Sequence, residues 1–423
     1  MHPGSRRKGA TRPLLIEILP KKHAMTNDRH SGRLERVLRS PKSSAALTLG
    51  AMLLAFVWVN SPYASAYESV HHALASVTIA GFVLAKPMIL WINEGLMVFF
   101  FFLIGLEIKR EVLEGQLSSP SQIALPAFAA VGGMAVPAVI YLAFNHGDPA
   151  AARGWAVPVA TDIVLALACL AVLGRRVPLS LKVFLTALAI FDDFGTLVVI
   201  AAFYSEGLSV AALLAAVAAL FVLVGLNRFR VGSVTAYGIV TVFLWAAVLE
   251  SGVHATMAGV LAAWTLPMRV GGREFLHQVE HDLTPWVALL IVPLFAFFNA
   301  GIALDGMTVE TVLSPVSLGV VLGLFLGKPL GVMAGAGLAV ATGLGRLPPN
   351  VGWPQICGVA LLAGVGFTMS LFVAALAFEG PGAVLSVNLS VVIGSTLSAI
   401  AGLAVLVSAT RSGGSPDYEE ATV

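Results

Sequence analysis

Four charged residues lie deep inside apolar runs of this chain: Asp162, Asp192, Asp193 and Lys328. An ionised side chain at the centre of a bilayer costs at least about 2.5–3.5 kcal/mol. Four such residues therefore point to an interior that uses charge. Asp192 and Asp193 are consecutive in Ala187-Leu188-Ala189-Ile190-Phe191-Asp192-Asp193-Phe194-Gly195. Neighbours on a helix point about 100° apart, so the pair lines two sides of one cavity. Two anionic oxygen donors suit a small hard cation or a pair of protons. No His or Cys cluster accompanies them, which argues against a transition-metal site. A free aspartate titrates at about pH 4; desolvation and a like-charged neighbour bring such a group toward the cytoplasmic range. The structural alternative is a buried ion pair that only ties helices together.

Asp162 and Lys328 read as charge compensators. Asp162 follows an interrupted stretch, Pro158-Val159-Ala160-Thr161-Asp162, and a second interruption falls at Gly364-Val365-Gly366-Phe367-Thr368. If two helices break and cross at these places, each broken end carries about half a charge. An anionic Asp162 offsets the positive ends and a cationic Lys328 the negative ones. Lys328 can instead pair with Asp192, and the sequence does not choose between these partners. Snorkelling of Lys328 to an interface is disfavoured, because mostly apolar sequence flanks it on both sides.

The elements that must position these residues follow from composition. The chain has 423 residues, 58% hydrophobic and 11% charged, against about 25% charged in a soluble domain. Only helices or closed barrels satisfy their backbone in lipid, and the apolar runs are far longer than the ~10-residue segments of barrel strands. The expected fold is an all-α polytopic membrane protein of about 12 transmembrane helices. Windows of ~19 residues place spans near 44–60, 88–108, 122–145, 155–173, 178–203, 208–226, 233–250, 254–269, 284–303, 316–341, 355–378 and 385–409. Spans 3–5 and spans 10–12 then enter the membrane from opposite sides, and the middle span of each block, four and eleven, is the interrupted one. Paired discontinuous helices at matching places mark an inverted-topology repeat.

With the N-terminal tail inside, the inner loops and C-terminal tail hold Lys109, Arg110, Arg175, Arg176, Lys182, Arg228, Arg230, Arg269, Arg273, Arg346 and Arg411, against Lys86 and Arg153 outside. That bias puts both termini in the cytoplasm. Residues 1–42, basic and broken by Pro3, Pro13, Pro20 and Pro41, read as a disordered cytoplasmic tail. Met25 serves as well as Met1 for a start. Residues 43–410 form one transporter domain and residues 411–423 a cytoplasmic C-terminal tail. Net charge of only +2 argues against a nucleic-acid partner; the lipid bilayer is the partner expected. Cys169 and Cys357 lie in apolar runs and read as packing residues. Val77-Thr78-Ile79-Ala80-Gly81-Phe82-Val83-Leu84, within the loop 76–86, has the β-branched residues and central Gly of a hairpin.

At these residues the chain resembles the NhaA family of bacterial sodium/proton antiporters. The matching strings occur in family order from about residue 44 to 409. They are Phe102-Leu103-Ile104-Gly105-Leu106-Glu107-Ile108-Lys109-Arg110-Glu111, Ala160-Thr161-Asp162-Ile163, Ala189-Ile190-Phe191-Asp192-Asp193-Phe194-Gly195, Ser251-Gly252-Val253-His254-Ala255-Thr256, Gly327-Lys328-Pro329-Leu330-Gly331 and Gly366-Phe367-Thr368-Met369-Ser370. The resemblance implies an inner-membrane transporter that exports Na⁺, and Li⁺ with it, in exchange for H⁺, electrogenically and under pH control, without a cofactor. It implies that Asp192 and Asp193 exchange protons and cation, that Thr161 joins them at the cation, and that Asp162 and Lys328 compensate the broken helix ends. It further implies a cytoplasmic pH-sensing cluster of Glu107, Arg110, Glu111, Glu280 and His281, for which a solvated basic rim is the alternative. Thr284 stands where better-known members have a second histidine, and Glu94 replaces the usual aspartate after Trp91-Ile92-Asn93. His254 is expected to make a structural hydrogen bond. In the family the hairpin joins two protomers, so a homodimer is expected.

Two other functions compete. A passive cation channel would conduct without a proton gradient. An intramembrane aspartyl protease needs two Asp from different helices, usually with a Gly-x-Gly-Asp string; here the pair is consecutive and that string is absent. No phosphate-binding loop is present for an ATP-driven pump.

Overall fold

A computed structural model describes residues 41–79, 82–115, 120–205, 207–305, 307–378 and 380–411. The two expected tails lie outside these residues, apart from their innermost positions. Helix α1 (Pro41–Val59) leads through short α2 (Ala64–His71) to strands β1 (Leu74–Ile79) and β2 (Phe82–Pro87), then to α3 (Met88–Leu113). Next come α4 (Pro120–Asn145), a bent pair α5 (Pro149–Val159) and α6 (Ile163–Val172), and α7 (Leu179–Phe203). Helices α8 (Val210–Arg228), α9 (Val234–Glu250), α10 (Met257–Thr265) and α11 (Phe275–Asn299) follow. The chain closes with α12 (Pro315–Ala341), a second bent pair α13 (Trp353–Ala363) and α14 (Phe367–Ala377), and α15 (Pro381–Arg411). Among the described residues eight helices are long and apolar enough to cross a bilayer, and the two bent pairs raise the number to ten. The shorter apolar helices α9 and α10 occupy the places of the seventh and eighth predicted spans.

The boundaries differ from expectation where periodicity and hydropathy part company. Helix α11 begins at Phe275, nine residues before the predicted span. Its first turns are amphipathic, with Phe275, Leu276 and Val279 buried and His281 and Asp282 exposed, a pattern that an apolar window passes over. Helix α10 is shorter than its predicted span because Pro267 forces Leu266 into an extended conformation.

Without a hydrophobic drive between helices in lipid, close packing of small residues holds them together. The tightest crossing joins α4 to α12: a Cβ on Gly132 would lie 2.1 Å from the Gly331 carbonyl oxygen, and one on Gly331 2.0 Å from that of Gly132. The two repeat blocks are therefore locked through their first helices. The hairpin forms as expected, antiparallel from Leu74 opposite Pro87 to Ile79 opposite Phe82. Its turn, including Gly81, lies outside the described residues. Two contacts tie the hairpin to the start of α3: Trp91 Nε1 donates to the Ala75 carbonyl (3.0 Å), and Lys86 pairs with Glu94 (2.7 Å).

Candidate functional site

Each bent pair opens at its predicted interruption, by 42° at α5/α6 and 44° at α13/α14. Most of α5, Arg153–Val159, is 3-10 helix with Pro158 inside it, after which Ala160 and Asp162 are extended. In the second break Gly366 is required, since a Cβ there would lie 2.9 Å from the Ala160 carbonyl oxygen. Phe367, which opens α14, has φ of 21°, a strained value for a residue with a side chain. The two breaks meet: the Asp162 N–H donates to the Val365 carbonyl (2.7 Å), and Ser370 Oγ to that of Val157 (2.7 Å).

Asp162 serves both half-helices that begin at the crossing. Its Oδ1 accepts from the Leu165 N–H of α6 (3.0 Å), and its Oδ2 from the N–H and hydroxyl of Thr368 on α14 (3.1 and 2.5 Å). One carboxylate thus meets two positive helix ends. Lys328, 0% exposed, does not choose between the partners left open by the sequence. Its ammonium donates both to the Val159 carbonyl at the C-terminal end of α5 and to Asp192 Oδ2. The Thr161 hydroxyl lies 2.5 Å from the same Asp192 oxygen and 2.7 Å from the Ala363 carbonyl at the end of α13, and donates to one of them at a time.

Asp192 and Asp193 are 0% and 2% exposed near the middle of α7. Asp192 is held through Oδ2, while its Oδ1 and the Oδ1 of Asp193 are fully buried without a hydrogen-bond partner among the described residues. The charges that act on Asp193 are those of Asp192, Glu107, Asp162 and, with opposite sign, Lys328. Five predicted site residues, Thr161, Asp162, Asp192, Asp193 and Lys328, therefore converge from α7, α12 and the first break.

Two cavities approach α7 from opposite ends. One, of about 220 Å³, is lined by Glu111, Leu179, Lys182, Thr186 and Ile190. The other, of about 250 Å³, is lined by Lys86, Glu94, Arg153, Tyr204, His254 and Leu376. At 1.5 Å per residue Ile190 is about 5 Å along the helix from Asp193, whereas Tyr204 is about 16 Å away. His254, which lines the second cavity, belongs to an aromatic cluster. Phe372, 0% exposed, packs against Phe101 and His254, both at a centroid distance of 5.3 Å, and against Phe295 at 6.1 Å. His254 Nδ1 lies 2.7 Å from Thr256 Oγ1, the structural hydrogen bond expected of it.

Of the predicted pH-sensing residues, Arg110 forks onto Glu280 through Nε (3.1 and 3.0 Å) and pairs with Glu111 through Nη1. Glu107, one turn earlier on α3, acts on both Arg110 and Asp193. His281 is placed differently: its side chain is 65% exposed and sits 3.3 Å from Asp282. Thr284, in place of the second histidine, bonds back to the Glu280 carbonyl (2.7 Å). Lys109 is no solvated rim residue either. It is buried and donates to the Trp264 and Leu266 carbonyls (2.6 and 2.5 Å), capping the C-terminus of α10. Residues without an assigned role in the sequence reading include Thr368, which completes the Asp162 cap, and Ser395, whose Oγ accepts from the N–H groups of Gly366 and Phe367 (both 3.2 Å). The position of Thr368 at the end of the second interruption was the available signal; for Ser395 there was none.

Comparison with known proteins gives the family. The chain matches the family described as Na⁺/H⁺ antiporter 1 over residues 35–406. The chain belongs to that family. It is 67% identical to the Na(+)/H(+) antiporter NhaA of Maricaulis maris (strain MCS10) over 373 residues, which cover 88% of this chain and 93% of the relative. The antiporter of the same name from Shewanella sp. (strain W3-18-1) is 50% identical over 372 residues, covering 87% and 96%. That of Shewanella oneidensis is 51% identical over 347 residues, covering 82% and 89%. As a family member the chain is a multi-pass transporter and not an enzyme. The twelve apolar segments, two of them broken, belong to the whole family domain.

Proposed function

We propose that this protein exchanges Na⁺, and Li⁺ with it, for H⁺ across the bacterial inner membrane, with Asp192 and Asp193 as the carriers. The observation that carries this reading is the pair of buried, unpartnered carboxylate oxygens on α7 beside a charge-balanced helix crossing. Over the crossing as a whole the two N-terminal and two C-terminal ends, about +0.5 and −0.5 each, cancel, and so do Asp162 and Lys328, the latter shared between the end of α5 and Asp192. The charge left over is that of Asp192 and Asp193. Two protons neutralise it; one Na⁺ leaves it at −1. Proton and cation therefore compete for the same oxygens, and a cycle of two H⁺ against one Na⁺ moves one net positive charge inward. An inside-negative potential of 100 mV adds ~2.3 kcal/mol to Na⁺ export.

Alternating access follows from the two cavities. The smaller axial gap lies on the side rich in Lys and Arg, which the charge bias assigns to the cytoplasm, so the conformation described is closed outward by the rings around Phe372. Both termini are cytoplasmic in this reading. Arg110, Glu280, Glu111 and Glu107 form the pH-sensing cluster at the cytoplasmic mouth. The hairpin, with Leu74 77% and Val77 45% exposed, supplies the surface that pairs two protomers; an isolated hairpin is marginal in water.

The test is dequenching of a pH-sensitive dye in everted vesicles on addition of NaCl or LiCl. Vesicles carrying the parental protein recover fluorescence, and those carrying Asp193→Asn do not. A Na⁺ current that persists without any proton movement would replace exchange by a channel.

A further inference from the structure

Thr196 stands outside every role assigned so far. It follows Asp193 by three residues on α7, whose buried positions include Ala189, Asp193, Thr196 and Ile200. The flanking Phe194 and Val198 are 44% and 51% exposed, so Asp193 and Thr196 share the inward face. Side chains three apart on a helix have Cβ atoms about 5–6 Å apart. Thr196 is 1% exposed, and its Oγ1 is buried without a hydrogen-bond partner among the described residues.

That state is unusual for a helical threonine, whose hydroxyl ordinarily bonds the carbonyl four residues back. Thr48, Thr241, Thr342, Thr396 and Thr410 all do so in this protein. Thr196 does not take the Asp192 carbonyl. An unsatisfied buried hydroxyl works against the fold, and here it sits one turn from two further orphaned oxygens, the Oδ1 atoms of Asp192 and Asp193. All three oxygens belong to one stretch of α7, are fully buried, and have no protein hydrogen bond among the described residues. A hard cation of this size collects oxygens at about 2.3–2.6 Å, within reach of side chains so spaced.

We propose that Thr196 is a ligand of the transported cation. Its Oγ1, free of the usual backbone bond, offers a lone pair to the ion held by Asp193. The inference rests on the antiport reading and on Asp193 as the site, and adds a neutral donor that sets ion preference. Na⁺, the larger ion, gathers more oxygen ligands than Li⁺, so the hydroxyl favours Na⁺.

The experiment compares the parental protein, Thr196→Val and Thr196→Ser, each full-length in proteoliposomes. Val keeps the shape and removes the oxygen; Ser keeps the oxygen. For Val, the KM for Na⁺ is expected to rise about tenfold or more, that for Li⁺ less, with kcat at saturating cation little changed. Ser is expected to behave as the parent. In Na⁺-free detergent, Val is expected to melt at the same temperature or higher, since an unpaired buried hydroxyl has gone. A parental KM in Val overturns the proposal, and so does an equal loss for Na⁺, Li⁺ and thermal stability, which marks a packing role. Should the parental protein exchange no Na⁺ for H⁺, the antiport reading fails separately. The rise in melting temperature on adding NaCl then still decides whether Thr196 holds the ion: unchanged in Val, it does not.

Discussion

The Lys328–Asp192 pair can be tested by a double-mutant cycle. Both side chains are 0% exposed, and each depends on the other for charge compensation. Removing one partner of a buried pair costs about 3–5 kcal/mol, because the survivor is left uncompensated, whereas replacing both by apolar residues is often nearly neutral. Lys328→Met and Asp192→Leu are each expected to destabilise by that amount. The cost for Lys328→Met is expected at the lower end, since Asp192 keeps the Thr161 hydroxyl as a donor (2.5 Å). Asp192→Leu leaves Lys328 only the Val159 carbonyl, and so falls at the upper end. The double variant is expected to cost less than either single change, since neither charge is then left uncompensated. Unfolding of the purified proteins, followed by tryptophan fluorescence in a denaturing detergent titration, supplies the four free energies. Strict additivity would show that the two charges are stabilised separately, and would refute the pairing as the origin of their burial.

Three further outcomes are expected. Phe372→Ala removes the ring on which Phe101, His254 and Phe295 converge; it should let ²²Na⁺ leak without a proton gradient, and a sealed membrane in this variant would show that the barrier lies elsewhere. Glu280→Gln breaks the fork from Arg110 and should shift the pH profile of exchange with little change in maximal rate; a lower maximal rate at an unmoved profile would point to a structural role. Burial of His71, between the first two spans, holds its imidazole below the ordinary histidine range, against the opposing hydrogen bond to the Phe298 carbonyl (3.0 Å). The unfolded chain then binds the proton more readily, so the stability from neutral His71 is present above about pH 6.5 and is lost as pH falls below it. His71→Gln should flatten that acid limb of the melting temperature; an unaltered limb would assign it to other groups.

Sequence patterning reached the architecture because lipid restricts the answer. A charged residue in an apolar run must face the interior, so Asp162, Asp192, Asp193 and Lys328 could be gathered into one site before any coordinates. Proline and glycine at 158, 364 and 366 marked both helix breaks, since those residues remove a donor or permit close backbone approach. Local chemistry of this kind is written along the chain. Partner choice is not. Lys328 had two possible partners by sequence and uses both, because the crossing brings the end of α5 and the face of α7 to the same ammonium. Lys109 counted as a loop charge until the packing of α3 on α10 placed it under two carbonyls. His281 follows Glu280 in sequence but lies on the exposed side of an amphipathic helix, where Asp282 meets it. Thr196 carries no sequence mark apart from its spacing, and its missing hydrogen bond becomes visible only when every neighbouring donor and acceptor has a position. Residue type and period fix which groups must be buried; which buried groups then touch depends on contacts between segments far apart in the chain, and only tertiary packing decides those.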